Sequence, residues 1–535
     1  MSPRVRPRGG PSRFHHEFTS KHHVAIKTWS VAPDTLATEM MWFRIAATVV
    51  TLVVVIDAQS DRQTIHAPRF WNDRGLADWA TPVAGLNARP GHFSEREYDA
   101  APAGDWLRTF PVYFPGQEPP GYWEMLRAKK PEPLIAPGAR TREEWGDSGQ
   151  RAFDEMDLPA FRSDDPAMIA LARDAAAFAQ RGGRAQKDGV VLGLRWVPTS
   201  KGIALGVSDC SSCHTRVMPD GSLLRGAPFN VPIDGVLGEL VARGSSRLVP
   251  GESPVVGIWR GFTVPWVRDD IHAALRSLSQ AELGAMAASA PPGVFARENG
   301  SPFYQTKVPD LIGLKDRRYL DHTGTHRLRG AEDVMRYAAL VSCCDSQDFG
   351  PHRVKTGAQR TIPYRMSDQA LFALAEYILA LTPPPNPNAG DPRVPIGKVV
   401  FERSGCVTCH TPPLYTNNKL TLALGYTPPA DHPNRADILA VSVGTDPGLA
   451  LKTRKGTGFY KVPSLKGVWY RGMFGHDGSV TTLEEWFDPA RLRSDFVPSG
   501  FKGYNVTRRA VPGHAFGLEL SAEDRAALIA FLKSL

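Results

Sequence analysis

Long apolar runs are scarce in this chain. The most extended, Ile45–Ile56 (IAATVVTLVVVI), covers twelve residues, whereas a helix needs roughly 20 to span a bilayer. Clustered positive charge is absent as well. The net charge is +8. No run of Lys and Arg and no ribbon of aromatic and basic side chains accompanies it, which excludes nucleic acid as a partner. Residues 1–58 hold seven Lys/Arg against four Asp/Glu, so +5 remains on the other 477 residues. That mild excess suits an acidic protein partner. Cysteine is scarce too, six in 535 residues. What is present is ordinary for a globular protein: 42% apolar and 22% charged residues, in a chain long enough for two or three domains.

The twelve-residue run has the flanks of a secretory signal. Arg44 precedes it and Asp57-Ala58-Gln59-Ser60 comes directly after, an order of charge, apolar core and small residues that marks export. Thirty-nine residues lie upstream of Met40, basic and without a core pattern, so Met40 or Met41 would make a better start. Residues 1–58 read as an N-terminal extension plus signal, and the protein as periplasmic or secreted. It meets a membrane only if the signal stays uncleaved. Residues 59–190 are rich in Trp, Tyr and Pro. They read as an irregular region packed on the C-terminal domains, with a helix over 167–180.

Four cysteines stand in two Cys-x-x-Cys-His pentads, Cys210-Ser-Ser-Cys213-His214 and Cys406-Val-Thr-Cys409-His410. Two thiols on a short turn can each form a thioether to one haem vinyl group, and the next residue, histidine, reaches the iron. The pentads therefore predict two covalently attached haem c groups. One zinc ion on the four cysteines would leave both histidines without a role. Haem of this type is attached outside the cytoplasm in bacteria, in keeping with the signal. Cys343 and Cys344 are left over. As neighbours in an oxidising compartment they are either a vicinal disulfide or two buried thiols.

The pentads sit in related halves. Residues 307–324 (KVPDLIGLKDRRYLDHTG) and 461–478 (KVPSLKGVWYRGMFGHDG) match without a gap at an offset of 154. The same offset relates Ser367–Leu381 to Ser521–Leu535, each a serine trailed by apolar residues at helical spacing. Each half runs pentad, K-V-P-x-L-x-G segment, His-x-Gly turn and closing helix. The fold expected is mainly α: two tandem class-I-like cytochrome c domains, 191–381 and 396–535, joined by a Pro-rich linker over 382–395. A loop-rich N-terminal region precedes them.

The repeat also compares the two irons. His514 precedes the last helix, and its counterpart at offset 154 is Arg360, which cannot ligate iron. The second haem would be held by His410 and His514. The first would have His214 on one side and an open position on the other. Met473 and His476 compete with His514, Tyr504 more weakly, and Met366 could fill the sixth position in the first half. An open haem that handles peroxide or O2 needs a group to move a proton. Glu332, His322 and His326 are the catalytic candidates. His322 pairs with His476 in the repeat and reads as structural as much as catalytic. His326 pairs with Val480 and is the more distinctive. Trp259 and Trp266 are guesses for an electron path between the haems.

Three features together resemble the bacterial dihaem cytochrome c peroxidase superfamily over about residues 190–535. They are the paired pentads, the segment Val462-Pro-Ser-Leu-Lys-Gly with Phe474-Gly-His-Asp-Gly-Ser-Val-Thr-Thr-Leu-Glu-Glu, and the closing Leu520-Ser-Ala-Glu-Asp and Ile529-Ala-Phe-Leu-Lys-Ser-Leu. The resemblance implies one haem that reacts with peroxide and one that relays electrons from a small electron-donor protein or a dye-like donor. The family's relay ligand lies just before the last helix, where this chain has His514. Its catalytic glutamate comes after a Trp-Asp-Gly turn. Here the turn is His322-Thr-Gly, and Glu332 falls near the glutamate's place. The proline of the family's calcium-bridging turn is missing before His476, which counts against a calcium ion. The long N-terminal region and wide haem spacing look more like the rubber-oxygenase branch, haem dioxygenases that cleave an apolar alkene with O2. A non-catalytic electron-transfer dihaem cytochrome is the third reading.

Overall fold

Two helix crossings of the same design organise the chain. A computed structural model describes residues 63–232, 278–295 and 303–535, apart from 347, 358, 359, 433 and 434, together with the single positions 238, 242, 264 and 266. The signal-like run and Trp259 lie outside the described residues. The helices that matter are α1 (Arg142–Glu155), α2 (Ala331–Ser342), α3 (Asp368–Ala380), α4 (Val394–Arg403) and α5 (Ala522–Lys533). Ser367 and Ser521 cap α3 and α5, each accepting from a backbone N–H three residues on.

α1 packs on α3 and α4 packs on α5. At the first crossing Gly149 lies so close to the Ala373 carbonyl that a Cβ would overlap it. At the second, Gly397 meets the Ala527 carbonyl in the same way. Ala373 and Ala527 differ by the repeat offset of 154. Four residues beyond each glycine stands an aromatic ring. Phe153 meets Tyr377 at 5.5 Å and Phe401 meets Phe531 at 5.2 Å, tilted 53° and 55°. Gly-x-x-x-Phe is thus a shared signature of α1 and α4. Gly397 stands nine residues before Cys406, but Gly149 stands sixty-one before Cys210. The helix that pairs with α3 therefore lies within the region expected to be irregular, separated from its pentad by fifty-two extra residues.

Those extra residues carry two strands, which join a third from upstream in one sheet. The sheet is β1 (Phe110–Tyr113), β2 (Val190–Thr199) and β3 (Gly202–Val207), all antiparallel, in the order β1-β2-β3. Region 63–155 also supplies Phe70, Trp71, Trp79, Tyr98 and Trp145 to the core that α2 and α3 share. The helix expected over 167–180 is two helices, Pro166–Ala172 and Ala175–Gln180. Asp174 ends the continuity because its carboxylate caps the second by accepting from Ala177 N–H.

The halves are interlocked by a reciprocal exchange. Lys307 N–H donates to the His476 carbonyl at 2.9 Å, and Lys461 N–H donates to the His322 carbonyl at 2.8 Å. Lys307 Nζ reaches the Met473 carbonyl at 3.0 Å, and Lys461 Nζ reaches the Tyr319 carbonyl at 3.1 Å. Every pair of partners is related by the 154-residue offset, so the K-V-P strand of each half binds the turn of the other. Among the described residues no helix is long and apolar enough to cross a membrane.

Gly149→Ala and Gly397→Ala should each cost about 1–3 kcal/mol, because neither carbonyl can retreat from the new methyl group. Gly146, also in α1, has open space at its Cβ position, so Gly146→Ala should be neutral or stabilising by up to about 1 kcal/mol. Urea unfolding of the three variants measures the contrast.

Candidate functional site

Each pentad forms the same tight turn. His410 N–H and Cys409 N–H both bond the Cys406 carbonyl, at 2.9 and 3.3 Å, and His214 and Cys213 repeat this on Cys210 at the same distances. Gly405, at φ 75°, opens the second turn. His410 Nδ1 lies 3.1 Å from both the Tyr415 and the Pro463 carbonyls. Carbonyls only accept, so Nδ1 carries the proton and Nε2 keeps its lone pair. Pro309 is the counterpart of Pro463. It faces His214, whose Nδ1 falls short of a full hydrogen bond. The repeated proline is therefore the orienting group behind both pentad histidines. Burial lowers the His214 imidazole to about 4, against the opposing pull of the Pro309 carbonyl.

A 270 Å³ cavity opens beside the second pentad, far larger than the roughly 10–15 Å³ that one water needs. Cys406, Cys409 and His410 line one wall, with apolar side chains such as Phe401, Phe474 and Leu528 around it. His514 also lines it, its ring centre 6.3 Å from that of His410. Two metal–nitrogen bonds of about 2 Å, with the distance from each nitrogen to its ring centre, sum to about 6 Å. The separation therefore fits two axial ligands on one metal. Burial, and then His410, lowers the His514 imidazole to about 4, so it is neutral and able to ligate near pH 7.

His514 is held by its backbone. Its φ is +48°, and Gly513 before it has φ +82° with Thr445 packed where a Cβ would stand. His514 N–H donates to the Val443 carbonyl at 2.6 Å. Arg491, fully buried, donates to the carbonyls of Trp486, Val511 and His514 at 2.7, 2.6 and 2.8 Å. A non-glycine residue at positive φ persists only where its surroundings over-determine it, and this guanidinium does so here. Met473 and His476 line the same cavity. Met473 packs with Val294 and Phe501, and His476 is stacked on Tyr460 at 4.8 Å. His514 is the side chain whose ring faces His410.

Lys307 and Lys461 line the cavity as well. Burial pushes both ammonium groups down to about 7, helped by Arg471 and Arg317 respectively. Among the described residues, their hydrogen-bond acceptors are carbonyls. Buried cations of this kind suit a carboxylate-bearing guest. Thiols on one wall, opposed imidazoles, apolar faces and buried cations together fit a haem with its propionates. Among the described residues, no group of three or more His, Cys, Asp or Glu converges on one point.

The first half differs. Arg360, the counterpart of His514, is turned onto Glu97 and Asp348 and lies over the Phe93 ring at 4.6 Å. Met366 is buried in the core, its carbonyl bonded by the Tyr98 hydroxyl. The three catalytic candidates are not brought together. Glu332 is exposed at the start of α2, and the buried carboxylate of that turn is Asp333, bound by Arg329 and Arg336. His322 lines the large cavity with Nε2 on the Lys307 carbonyl at 2.8 Å, and burial, with Lys461 next in weight, holds its imidazole well below the ordinary range. His326 lines a separate cavity of 40 Å³. Its Nδ1 is 2.9 Å from Asp321, its Nε2 has no partner among the described residues, and Trp79 lies 4.4 Å from it. Burial raises the Asp321 carboxyl, but Lys455, His326 and Tyr337 outweigh it and hold it far below the usual carboxylate range. Trp266 packs on Phe349 at 4.8 Å.

Sequence reasoning missed Arg491, which had no periodic or motif signal because it acts on backbone carbonyls. Asp321 stood in the segment that supplied His322 and His326, but nothing there singled out its contact with His326. The two lysines were visible as the first letter of K-V-P but gave no sign of facing a cavity.

No family model matches the chain, and no curated protein matches it. Among solved structures it is similar to a hydrazine synthase of Kuenenia stuttgartiensis, at 15% identity over 54% of this chain and 89% of that one, with a TM-score of 0.28. It is also similar to a variant of the diheme peroxidase BthA of Burkholderia thailandensis, at 17% identity over 60% of this chain and 88% of that one, with a TM-score of 0.23.

Were haem held at the second pentad by His410 and His514, His514→Ala should leave its covalent content unchanged while a low-spin signal is lost, and added imidazole should restore it. Arg491→Met should weaken the same signal with the ligand still present, and lower stability by about 2–5 kcal/mol as three buried carbonyls lose their donor. In the first half, burial raises Glu97, but the Arg360 hydrogen bond and the Ser94 contacts bring it down to about 2. That contribution is complete above the unfolded value of about 4.3 and is lost as pH falls toward about 2. Acid titration of stability should therefore be shallower in Arg360→Ala over that window, by a small amount because Glu97 is two-fifths exposed.

Proposed function

We propose that this chain is an exported dihaem c-type oxidoreductase of the cytochrome c peroxidase kind, built on two tandem cytochrome c domains. One observation carries the reading: His410 faces His514 across a cavity, whereas the counterpart of His514 is Arg360, committed to Glu97. Covalently held haem would supply redox-active iron, which His410 and His514 would hold at the second site and His214 at the first.

The chain's own residues do the rest. The carbonyls of Pro463 and Tyr415 orient His410, and Pro309 plays that part for His214. Lys307 and Lys461, buried at the seam between the halves, are the groups that would meet the carboxylates of such a cofactor. Arg491 fixes the His514 backbone, so the imidazole stays presented toward His410. In the first half His326 is the group to hold or pass a proton, with Asp321 fixing its tautomer and Nε2 without a partner among the described residues. Glu332, exposed, has no such part, and His322 serves the seam. A small reduced protein or dye supplies two electrons, and with two protons they convert hydrogen peroxide into two waters.

The reduced protein should bind one CO per chain by visible titration. Zero or two would overturn the asymmetry. Peroxide should be consumed only with a reduced donor present. Uptake of O2 with an alkene and no donor would overturn the peroxidase assignment in favour of a dioxygenase.

A further inference from the structure

Cys343 and Cys344 end α2, where both backbone N–H groups converge on the Ala339 carbonyl at 2.9 and 3.0 Å. Both are free thiols here, with sulfurs 2.8 Å apart. Cys344 is fully buried against the core that holds Tyr98 and Met366, while Cys343 is half-buried. A disulfide needs about 2.03–2.05 Å, so closing the bond asks for a shift of under an ångström without moving a helix. The surrounding turn is tied into the first half. Ser342 Oγ donates to Asp209, the residue before Cys210, at 2.7 Å. Ser346 Oγ meets His92 Nδ1 at 2.9 Å, and Arg454 reaches the Ser346 carbonyl at 3.1 Å. The turn that holds the pair thus braces both the first pentad and the wall of the His326 cavity.

We propose that Cys343 and Cys344 are a reversible redox site, closed as a vicinal disulfide in the exported protein. This rests on the c-type reading above, because that reading places the chain in an oxidising compartment. Cys343, the reachable sulfur, attacks the disulfide of a dithiol-type oxidant as its thiolate, and one oxidant sulfur leaves as a thiolate. Cys344 then attacks Cys343 in the mixed disulfide and expels the second oxidant sulfur. The two thiols lose two electrons and two protons, and the oxidant's disulfide becomes a dithiol that holds them. Adjacent α-carbons stand about 3.8 Å apart across a trans peptide, under the roughly 4.4 Å at which ordinary disulfides begin. The bond is therefore strained, and strained disulfides are the ones that mild dithiols reopen.

The test uses the haem-loaded protein purified without reductant, quenched in acid, unfolded in guanidinium with N-ethylmaleimide, and digested with trypsin. The tryptic peptide Tyr337–Arg353 should carry no label and weigh about 2 mass units less than the dithiol. After prior treatment of the native protein with dithiothreitol it should carry two labels. Two labels before reduction, one label, or a glutathione adduct on either cysteine would overturn the proposal. In Cys343→Ser, Cys344 should take one label without reduction, and failure to do so would also overturn it. A pyridine haemochrome spectrum of the same sample reports covalent haem separately. Loss of the c-type reading and loss of the redox pair are thus seen as different failures.

Discussion

The rest of the molecule depends on an exchange in which each half supplies what the other lacks. The backbone of the K-V-P strand and the lysine that begins it bind carbonyls of the opposite half, and the opposite half does the same in return. A buried hydrogen bond of this sort is worth about 0.5–1.5 kcal/mol net, and more with a charged donor. The larger effect is on uniqueness. A slip of one half against the other would strand two ammonium groups and several carbonyls away from water, and each stranded group carries the full desolvation cost. The exchange also brings both lysines to the wall of the large cavity. One set of contacts therefore joins the halves and brings two buried amino groups to the seam.

The site inherits its precision from backbone carbonyls. Pro463 and Tyr415 set the tautomer of His410, and Arg491 gathers three carbonyls to hold His514 in a left-handed conformation. No side-chain carboxylate is needed in either arrangement. The two imidazoles are thereby aimed at each other, and burial lowers both of them. The first half keeps the pentad turn and the orienting proline but spends the position of His514 on an ion pair with the N-terminal region. Region 63–155 is what makes that possible, since it brings Glu97 and Phe93 to Arg360. The extra N-terminal sequence and the unequal halves are thus one feature.

Some of this was legible in advance. The serine-capped helices α3 and α5 show the spacing their sequences carry, because capping and amphipathic period are local properties. That His514 and Arg360 hold equivalent positions was legible through the repeat, since an offset between matching segments carries spatial information that a single copy lacks. Other readings met tertiary competition. Glu332 and Asp333 are neighbours in α2, and helical periodicity could not say which carboxylate turns inward. Arg336 and Arg329 decided for Asp333. The break at Asp174 came from a capping carboxylate outcompeting helix continuation. The Gly-x-x-x-Phe signature of α1 was present in the chain, but fifty-two intervening residues hid its relation to the first pentad.

By itself, then, the sequence determined the pentads, the 154-residue repeat, the closing helices and the inequality of His514 and Arg360. All of these are carried by residue identity at fixed spacing. Only the tertiary structure decided that the lysines of K-V-P line a cavity, that Arg491 holds His514, that Asp321 orients His326, and that α1 belongs with α3. Apart from the local Asp321–His326 contact, these depend on which backbone groups arrive from remote parts of the chain. Backbone acceptors are the same at every residue, so no pattern of side chains records where they will be.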